Sequence, residues 1–313
     1  MVPVAEAELR DGTAGHQLFF PAKPTASVLA KADLDPQFGL AEIAFGQPDP
    51  AAMSASRNLK WAHISSSGIT RYDTSPFRAA MAERKIPLTN SASVYDEACA
   101  VHVFSFLLAQ ARNLPAALQS QAAGGSAAWN ALRQSSSTLR GESVLILGYG
   151  AIGRRLAELL APLQMRVTGF RRKPRGDEEI PMIAAKELSP VLAAADHVVN
   201  ILPESDETRN FFDADRFKML KPGAVFYNIG RGKTVNQDAL WRALRSRHLQ
   251  SAWLDVTDPE PLPADHPLRR EPNCFITPHI AGGHAGETVS LVRHFLENFR
   301  RFVGGKPLLN RVM

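Results

Sequence analysis

The run Ser143-Val144-Leu145-Ile146-Leu147 leads without a break into Gly148-Tyr149-Gly150-Ala151-Ile152-Gly153. A short, nearly continuous apolar run predicts a strand buried on both faces of a parallel sheet. Each glycine that follows answers a separate need. Gly148 permits a tight strand-to-helix turn, Gly150 lets a pyrophosphate approach the backbone, and Gly153 lets the helix pack on the strand. The amides of Ala151 and Ile152 then face the phosphates at the positive end of the helix dipole. Leu156, Leu159, Leu160 and Leu163 continue with helical spacing, and residues 165–170 predict a second strand. That context raises a weak motif to a dinucleotide-binding expectation. The competing reading is a glycine-rich turn with no ligand.

The remaining pattern agrees with an α/β chain. Short strands are predicted at 41–45, 61–64, 87–90, 197–202, 224–229 and 251–255, with helical stretches between them. Val101, Phe104, Leu108 and Ala111 mark one face of a helix over 95–112, interrupted at Pro115. Residues 119–137, with Gly124-Gly125 and Ser135-Ser136-Ser137, predict a loop or linker near a domain boundary. Alternating strand and helix implies doubly wound parallel sheets. A length of 313 residues is enough for two such domains at roughly 150 residues each.

Composition narrows the function classes. The net charge of +5 is mild for this length, and no basic patch with interleaved aromatics points to nucleic acid. Cys99 and Cys274 share no metal-ligand spacing, so neither a disulfide scaffold nor a zinc ribbon is expected. His284 follows His279 closely, but no third ligand completes a metal set. No stretch approaches the roughly 18 apolar residues of a membrane helix. Residues 1–10 show no apolar signal region, so no secretory signal is expected, and with Met313 as the last residue no appended regulatory domain is expected. The expectation is a cytoplasmic protein with no membrane or nucleic-acid partner. His102 reads as a satisfied core or hinge residue, and Trp129 and Trp253 as packing residues.

After the second strand, an acid would ordinarily accept hydrogen bonds from the adenosine ribose. This chain has Arg171-Arg172-Lys173-Pro174-Arg175 there. Guanidinium groups pair with a 2′-phosphate, so the expectation is NADP in preference to NAD. The competing reading is a solvated charge run beside Asp177, Glu178 and Glu179.

Three further segments place polar residues at strand ends: Asn228-Ile229-Gly230-Arg231-Gly232, Asp255-Val256-Thr257-Asp258-Pro259-Glu260-Pro261-Leu262, and Thr277-Pro278-His279. With the glycine motif, they make the chain from about residue 60 onward resemble the D-isomer-specific 2-hydroxyacid dehydrogenase family. The resemblance implies Arg231 as the substrate arginine, His279 as the acid/base and Glu260 as its paired carboxylate. It implies cofactor contacts from Leu202, Pro203, Thr208, Ile229 and Asp255, and a carboxylate-holding loop at Ser67 and Gly68. Reduction of a 2-keto acid needs a hydride at C2 and a proton on the carbonyl oxygen. Histidine can supply that proton near neutral pH, and a carboxylate on its other nitrogen fixes the ring. Arginine stays charged, clamps the substrate carboxylate and polarises the carbonyl.

The implied architecture is a Rossmann-type cofactor domain, 113–284, inserted in a discontinuous flavodoxin-like substrate domain, 1–112 with 285–313. The cleft between them would hold the site, and a homodimer would form through the cofactor domain. Val289, Val292, Phe295, Leu296 and Phe299 keep helical spacing for the return. The implied activity is hydride transfer between NADP(H) and a small 2-keto or D-2-hydroxy acid, of the glyoxylate or hydroxypyruvate type. The alternatives are an NAD-dependent dehydrogenase of another D-2-hydroxy acid and a non-catalytic dinucleotide-sensing protein. Two residues depart from the family pattern: Val101 stands where an acid is common, and Arg269 where an aromatic is frequent.

Overall fold

The computed structural model describes residues 2–21, 23, 33, 35–122, 129–172, 174 and 176–313. Gly124 and Gly125 of the expected linker, and Lys173 and Arg175 of the basic run, lie outside the described residues. The chain divides into two compact units, Met1–Tyr95 with Gly283–Met313, and Asp96–Gly282.

Among the described residues the first unit holds three parallel strands in sequence order, β1 (Ile43–Gly46), β2 (Trp61–Ile64) and β3 (Leu88–Asn90). The switch in strand order that marks a flavodoxin-like sheet is not seen among the described residues. β2 is buried along its whole length. On one side Met53, Phe77, Met81 and Ile86 fill the core. On the other, the helix Glu287–Val303 lays Val292, Phe295, Leu296 and Phe299 against Trp61 and the helix Pro3–Gly12. Phe295 stacks on Trp61 at 5.4 Å and on Phe45 at 4.4 Å. Burying each large apolar side chain of this kind stabilises by about 1.5–3 kcal/mol.

A polar chain threads the same sheet. Trp61 Nε1 donates to Thr89 Oγ1 at 3.0 Å, and Thr89 Oγ1 lies 2.7 Å from His63 Nδ1. His63 Nε2 lies 3.1 Å from Ser91 Oγ, whose hydroxyl donates to the Ile64 carbonyl at 2.9 Å. These partners assign the His63 proton to Nε2. Burial, and then the neighbouring His294, push the His63 imidazole down to about 3.

The second unit is built on seven parallel strands: β4 (Ser143–Leu147), β5 (Arg166–Phe170), β6 (Met182–Ile183), β7 (His197–Asn200), β8 (Ala224–Asn228), β9 (Leu249–Leu254) and β10 (Cys274–Ile276). Their order is β10-β9-β8-β7-β4-β5-β6. This is the Rossmann order, with one strand added beyond β9. The order reverses between β4 and β7, so a crevice opens beyond their carboxyl ends. Leu145, Leu147, Val198 and Phe226 are fully buried between the helical layers, as their continuous apolar runs require.

Two expectations need correction. The segment 119–137 is not simply a loop: the helices Leu114–Ala122 and Trp129–Ser135 flank its centre. Pro115 lies in the first turn of a new helix, where a missing N–H costs nothing, and alanine and glutamine propagate it. The helix Ala92–Ala111 does have the length and hydropathy of a membrane span. Its second half is nonetheless tied into the second unit. Phe106 packs on Trp253, and Gln110 Oε1 accepts from Ser251 Oγ at 2.6 Å and Trp253 Nε1 at 2.9 Å. These ties explain why the crossing between units falls inside this helix and not after it.

Candidate functional site

The glycine turn meets the demands that its residues imply. Gly148 has φ +95, and a Cβ built on it lies 2.8 Å from the Ile201 carbonyl carbon, so the exit of β7 presses directly on the turn. At Gly153 a Cβ would lie 3.1 Å from Gly148 O and 3.2 Å from Ile146 Cγ2, the close helix-on-strand contact. A Cβ on Gly150 meets nothing within 4 Å. Gly150 caps the helix Ala151–Leu160 without a side chain on its first amides. An open face with free helix N-terminal amides, including those of Ala151 and Ile152, fits a dinucleotide pyrophosphate.

At the end of β5, Arg171 Nη1 lies 3.2 Å from Glu178 Oε1, and that carboxylate is nearly buried. The second Glu178 oxygen accepts the Gly176 N–H at 2.8 Å. Arg172 is exposed, 3.9 Å from Glu207. After β7, Leu202 is buried, and the Thr208 hydroxyl donates to the Pro203 carbonyl at 2.6 Å, which closes the turn.

The Arg231 loop rests on buried amides. Asn200 Nδ2 donates to Asn228 Oδ1 at 3.0 Å and to Thr234 Oγ1 at 2.7 Å. Thr234 Oγ1 donates to the Arg231 carbonyl at 2.7 Å, and Asn228 Oδ1 accepts the Gly230 N–H at 3.1 Å. Ile229 is buried beside them, and its N–H donates to the Asn200 carbonyl at 3.1 Å. Sequence reasoning missed Asn200 and Thr234 and gave Asn228 no role. The available signal was an asparagine closing each of two apolar strands, β7 and β8.

The Arg231 and Glu260 loops press together. A Cβ on Gly232 would lie 1.9 Å from Thr257 O. Glu260 Oε1 accepts the Thr257 N–H at 3.1 Å, and Oε2 lies 2.7 Å from His279 Nδ1. Burial works against the Glu260 charge. The hydrogen bond and charge of His279, the Thr257 amide and the Arg231 guanidinium outweigh it and hold the carboxyl below its ordinary range. With Nδ1 committed to Glu260, Nε2 is the ring nitrogen left for a reacting group. The His279 and Glu260 side chains keep 31% and 24% of their surface exposed, so the pair is accessible.

Asp255, at the end of β9, is buried. Its carboxylate accepts from Thr277 Oγ1 at 2.6 Å, Ile280 N at 2.9 Å and Ala281 N at 2.9 Å. Thus Arg231, Asp255, Glu260 and His279 gather at the carboxyl ends of β8, β9 and β10. Ser67 and Gly68 belong to the first unit, in the loop that follows β2. There Asn90 Nδ2 donates to Ser67 O at 2.7 Å, and Ser66 Oγ to Gly68 O at 2.7 Å. Among the described residues no cluster of His, Cys, Asp and Glu forms a metal set. His284 Nδ1 accepts the Gly286 N–H at 3.2 Å.

Comparison with known proteins bears on this arrangement. Residues 104–281 match the family profile described as D-isomer specific 2-hydroxyacid dehydrogenase, NAD binding domain. The human glyoxylate reductase/hydroxypyruvate reductase is 36% identical over 259 residues, 82% of this chain and 77% of that protein. A D-isomer specific 2-hydroxyacid dehydrogenase from Xanthobacter autotrophicus Py2, solved with NADPH and MES, superposes with a TM-score of 0.80 at 27% identity. The match covers 99% of this chain and 93% of that one. A NAD-dependent formate dehydrogenase from Staphylococcus aureus, solved with NAD, gives a TM-score of 0.70 at 25% identity, over 88% and 84% of the two chains.

Proposed function

Since the chain belongs to the D-isomer specific 2-hydroxyacid dehydrogenases, a family of NAD(P)-dependent oxidoreductases, we propose that it reduces a small 2-keto acid of the glyoxylate or hydroxypyruvate type and prefers NADP(H). One observation carries the reading: an accessible imidazole, backed at 2.7 Å by a carboxylate, stands one loop from an arginine held on buried amides.

In this reading Arg231 clamps the substrate carboxylate and polarises the carbonyl. His279 Nε2 delivers the proton to the carbonyl oxygen, and Glu260, on Nδ1, orients the ring. Ser67 and Gly68 offer backbone amides to the carboxylate. Gly148, Gly150, Ala151, Ile152 and Gly153 cradle the pyrophosphate. Arg171 and Arg172 meet the 2′-phosphate, and Leu202, Pro203, Thr208, Ile229 and Asp255 border the nicotinamide. The bound dinucleotide supplies the hydride to C2. In this reading the substrate domain comprises 1–112 with 285–313 and the cofactor domain 113–284, a division that differs from the two compact units chiefly in assigning the helix Ala92–Ala111 to the substrate domain. Exposed Leu114, Leu118 and Trp129, on two successive helices, support a homodimer through the cofactor domain. Cys99 and Cys274 are both free thiols, which suits a reducing cytoplasm.

A second cofactor reading, NAD(H), is favoured by the Glu178 carboxylate, which already occupies Arg171. Steady-state kinetics with glyoxylate and hydroxypyruvate against NADPH and NADH separate the two. A charge-assisted contact is worth about 1.5–3 kcal/mol, so kcat/KM should favour NADPH by about tenfold or more. Arg171→Ala should erase most of that preference. A preference for NADH overturns the cofactor assignment. Tight NADPH binding without turnover on either acid overturns the reaction and supports a dinucleotide sensor.

A further inference from the structure

The loop that carries His279 is held by Asp255, which the proposed function sets beside the nicotinamide, and through it by two residues, Thr277 and His102, to which that function gives no part. His279 has φ +53, a left-handed conformation uncommon outside glycine. Its N–H reaches the Asp255 carbonyl at 2.9 Å and the Thr277 carbonyl at 3.0 Å. The turn then aims the next two amides at one side chain. Ile280 N donates to Asp255 Oδ1, and Ala281 N to Oδ2. Successive amides converging on an anion form a nest, and the geometry of such a turn follows the anion's position.

The position of that anion is set in turn. The Asp255 side chain is 1% exposed, and a buried carboxylate needs donors. Thr277 Oγ1, at 2.6 Å, has one proton and gives it to Oδ1. Its oxygen therefore accepts from His102 Nε2, at 3.2 Å. His102 Nε2 is 3.6 Å from Asp255 Oδ1, so the hydroxyl is the link between them. Burial pushes His102 below the ordinary histidine range, against the pull of Asp255, which leaves the ring neutral with one N–H to donate. Phe106 meets the same ring edge-on at 4.4 Å and limits its rotation.

Resting on the reading of His279 as proton donor, we propose that Thr277 and His102 are positioning residues for it, acting through Asp255. The direction runs from His102 N–H to the Thr277 hydroxyl, to the Asp255 carboxylate, to the amides that follow His279. Removing the Thr277 hydroxyl takes a donor from the carboxylate and an acceptor from His102 together. The turn relaxes, and the imidazole moves relative to Glu260 and the substrate carbonyl.

The test is Thr277→Val in the full chain, assayed with NADPH and glyoxylate. A misplacement near 1 Å costs about 10²-fold, so kcat should fall by about 10- to 100-fold. The Kd for NADPH, read by fluorescence, should stay within about twofold, because the loss concerns chemistry and not uniform binding. Thr277→Ser restores the hydroxyl and should recover most of kcat. His102→Leu should give a smaller loss. The double variant should be no worse than Thr277→Val alone, since both act through one chain. Unchanged kcat in Thr277→Val overturns the proposal, as do equal defects in the Val and Ser variants or a loss confined to KM. If Thr277→Val does not fold, the Ser variant and His102→Leu decide, and full activity in His102→Leu overturns the chain. Wild-type turnover in His279→Ala would instead overturn the underlying assignment of the proton donor. The two failures are therefore distinguishable.

Discussion

His63 lies within β2 and His279 in the loop that follows β10, and their surroundings differ sharply. His63 is fully buried, and each ring nitrogen has a hydroxyl partner, Thr89 on one side and Ser91 on the other. His279 keeps 31% of its side-chain surface, has a carboxylate on Nδ1, and sits on a left-handed residue. The first imidazole is held neutral and completes a closed chain of hydrogen bonds. The second is left with one nitrogen uncommitted and a charge partner behind it. A histidine becomes useful for proton transfer when its neighbours satisfy half of it and leave the rest accessible.

That contrast yields graded predictions. Substitution in the open set should remove turnover and spare the fold, so Arg231→Ala should lower kcat by about 10²–10³-fold with an unchanged melting temperature. Steady-state kinetics beside a thermal melt check both halves. Next in size, Gly232→Ala forces a Cβ to within 1.9 Å of the Thr257 carbonyl oxygen. Overpacking of this kind should destabilise by about 1–3 kcal/mol in urea denaturation. Gly150→Ala, where a Cβ meets nothing within 4 Å, should leave stability unchanged and weaken NADPH binding.

The smallest effect at neutral pH belongs to the closed set. The folded protein holds His63 down at about 3, below the ordinary value near 6.5. Between those values the unfolded chain binds the proton and the folded chain does not. The stability contribution is therefore complete above about pH 6.5 and is lost as pH falls toward about 3. The wild-type melting temperature should drop on acidification. His63→Gln should lower it by about 1 kcal/mol equivalent at neutral pH and flatten the acid slope. An unchanged slope would remove His63 from the account and leave His294, which burial also lowers, as the source.

Much of the second unit could be read in advance because β4, β7 and β8 are short apolar runs stopped by glycine or asparagine. β4 and its turn are the clearest case, since Gly148 and Gly153 are demanded by contacts between neighbouring segments. The order of Arg231, Glu260 and His279 along the chain was also readable, because each follows a strand. What escaped was polar bonding between distant segments. His102 and Thr277 are 175 residues apart, and no local pattern pairs them. The Asn200–Asn228–Thr234 network joins two strand ends and a loop, so it exists only once β7 and β8 lie side by side. The helix Pro3–Gly12 owes its place to packing with the helix Glu287–Val303 from the far end of the chain, and residues 1–10 alone carry little of that information. In the segment 119–137, glycine and serine content hid helices that alanine, leucine and glutamine sustain on either side.

The most direct test is a single turnover of NADPH with excess glyoxylate in His279→Gln, followed by the loss of NADPH absorbance beside a binding titration. If the imidazole delivers the proton, the rate of NADPH oxidation should fall by about 10²–10⁴-fold while the NADPH Kd holds. An unaltered rate at full NADPH occupancy would contradict the role given to His279.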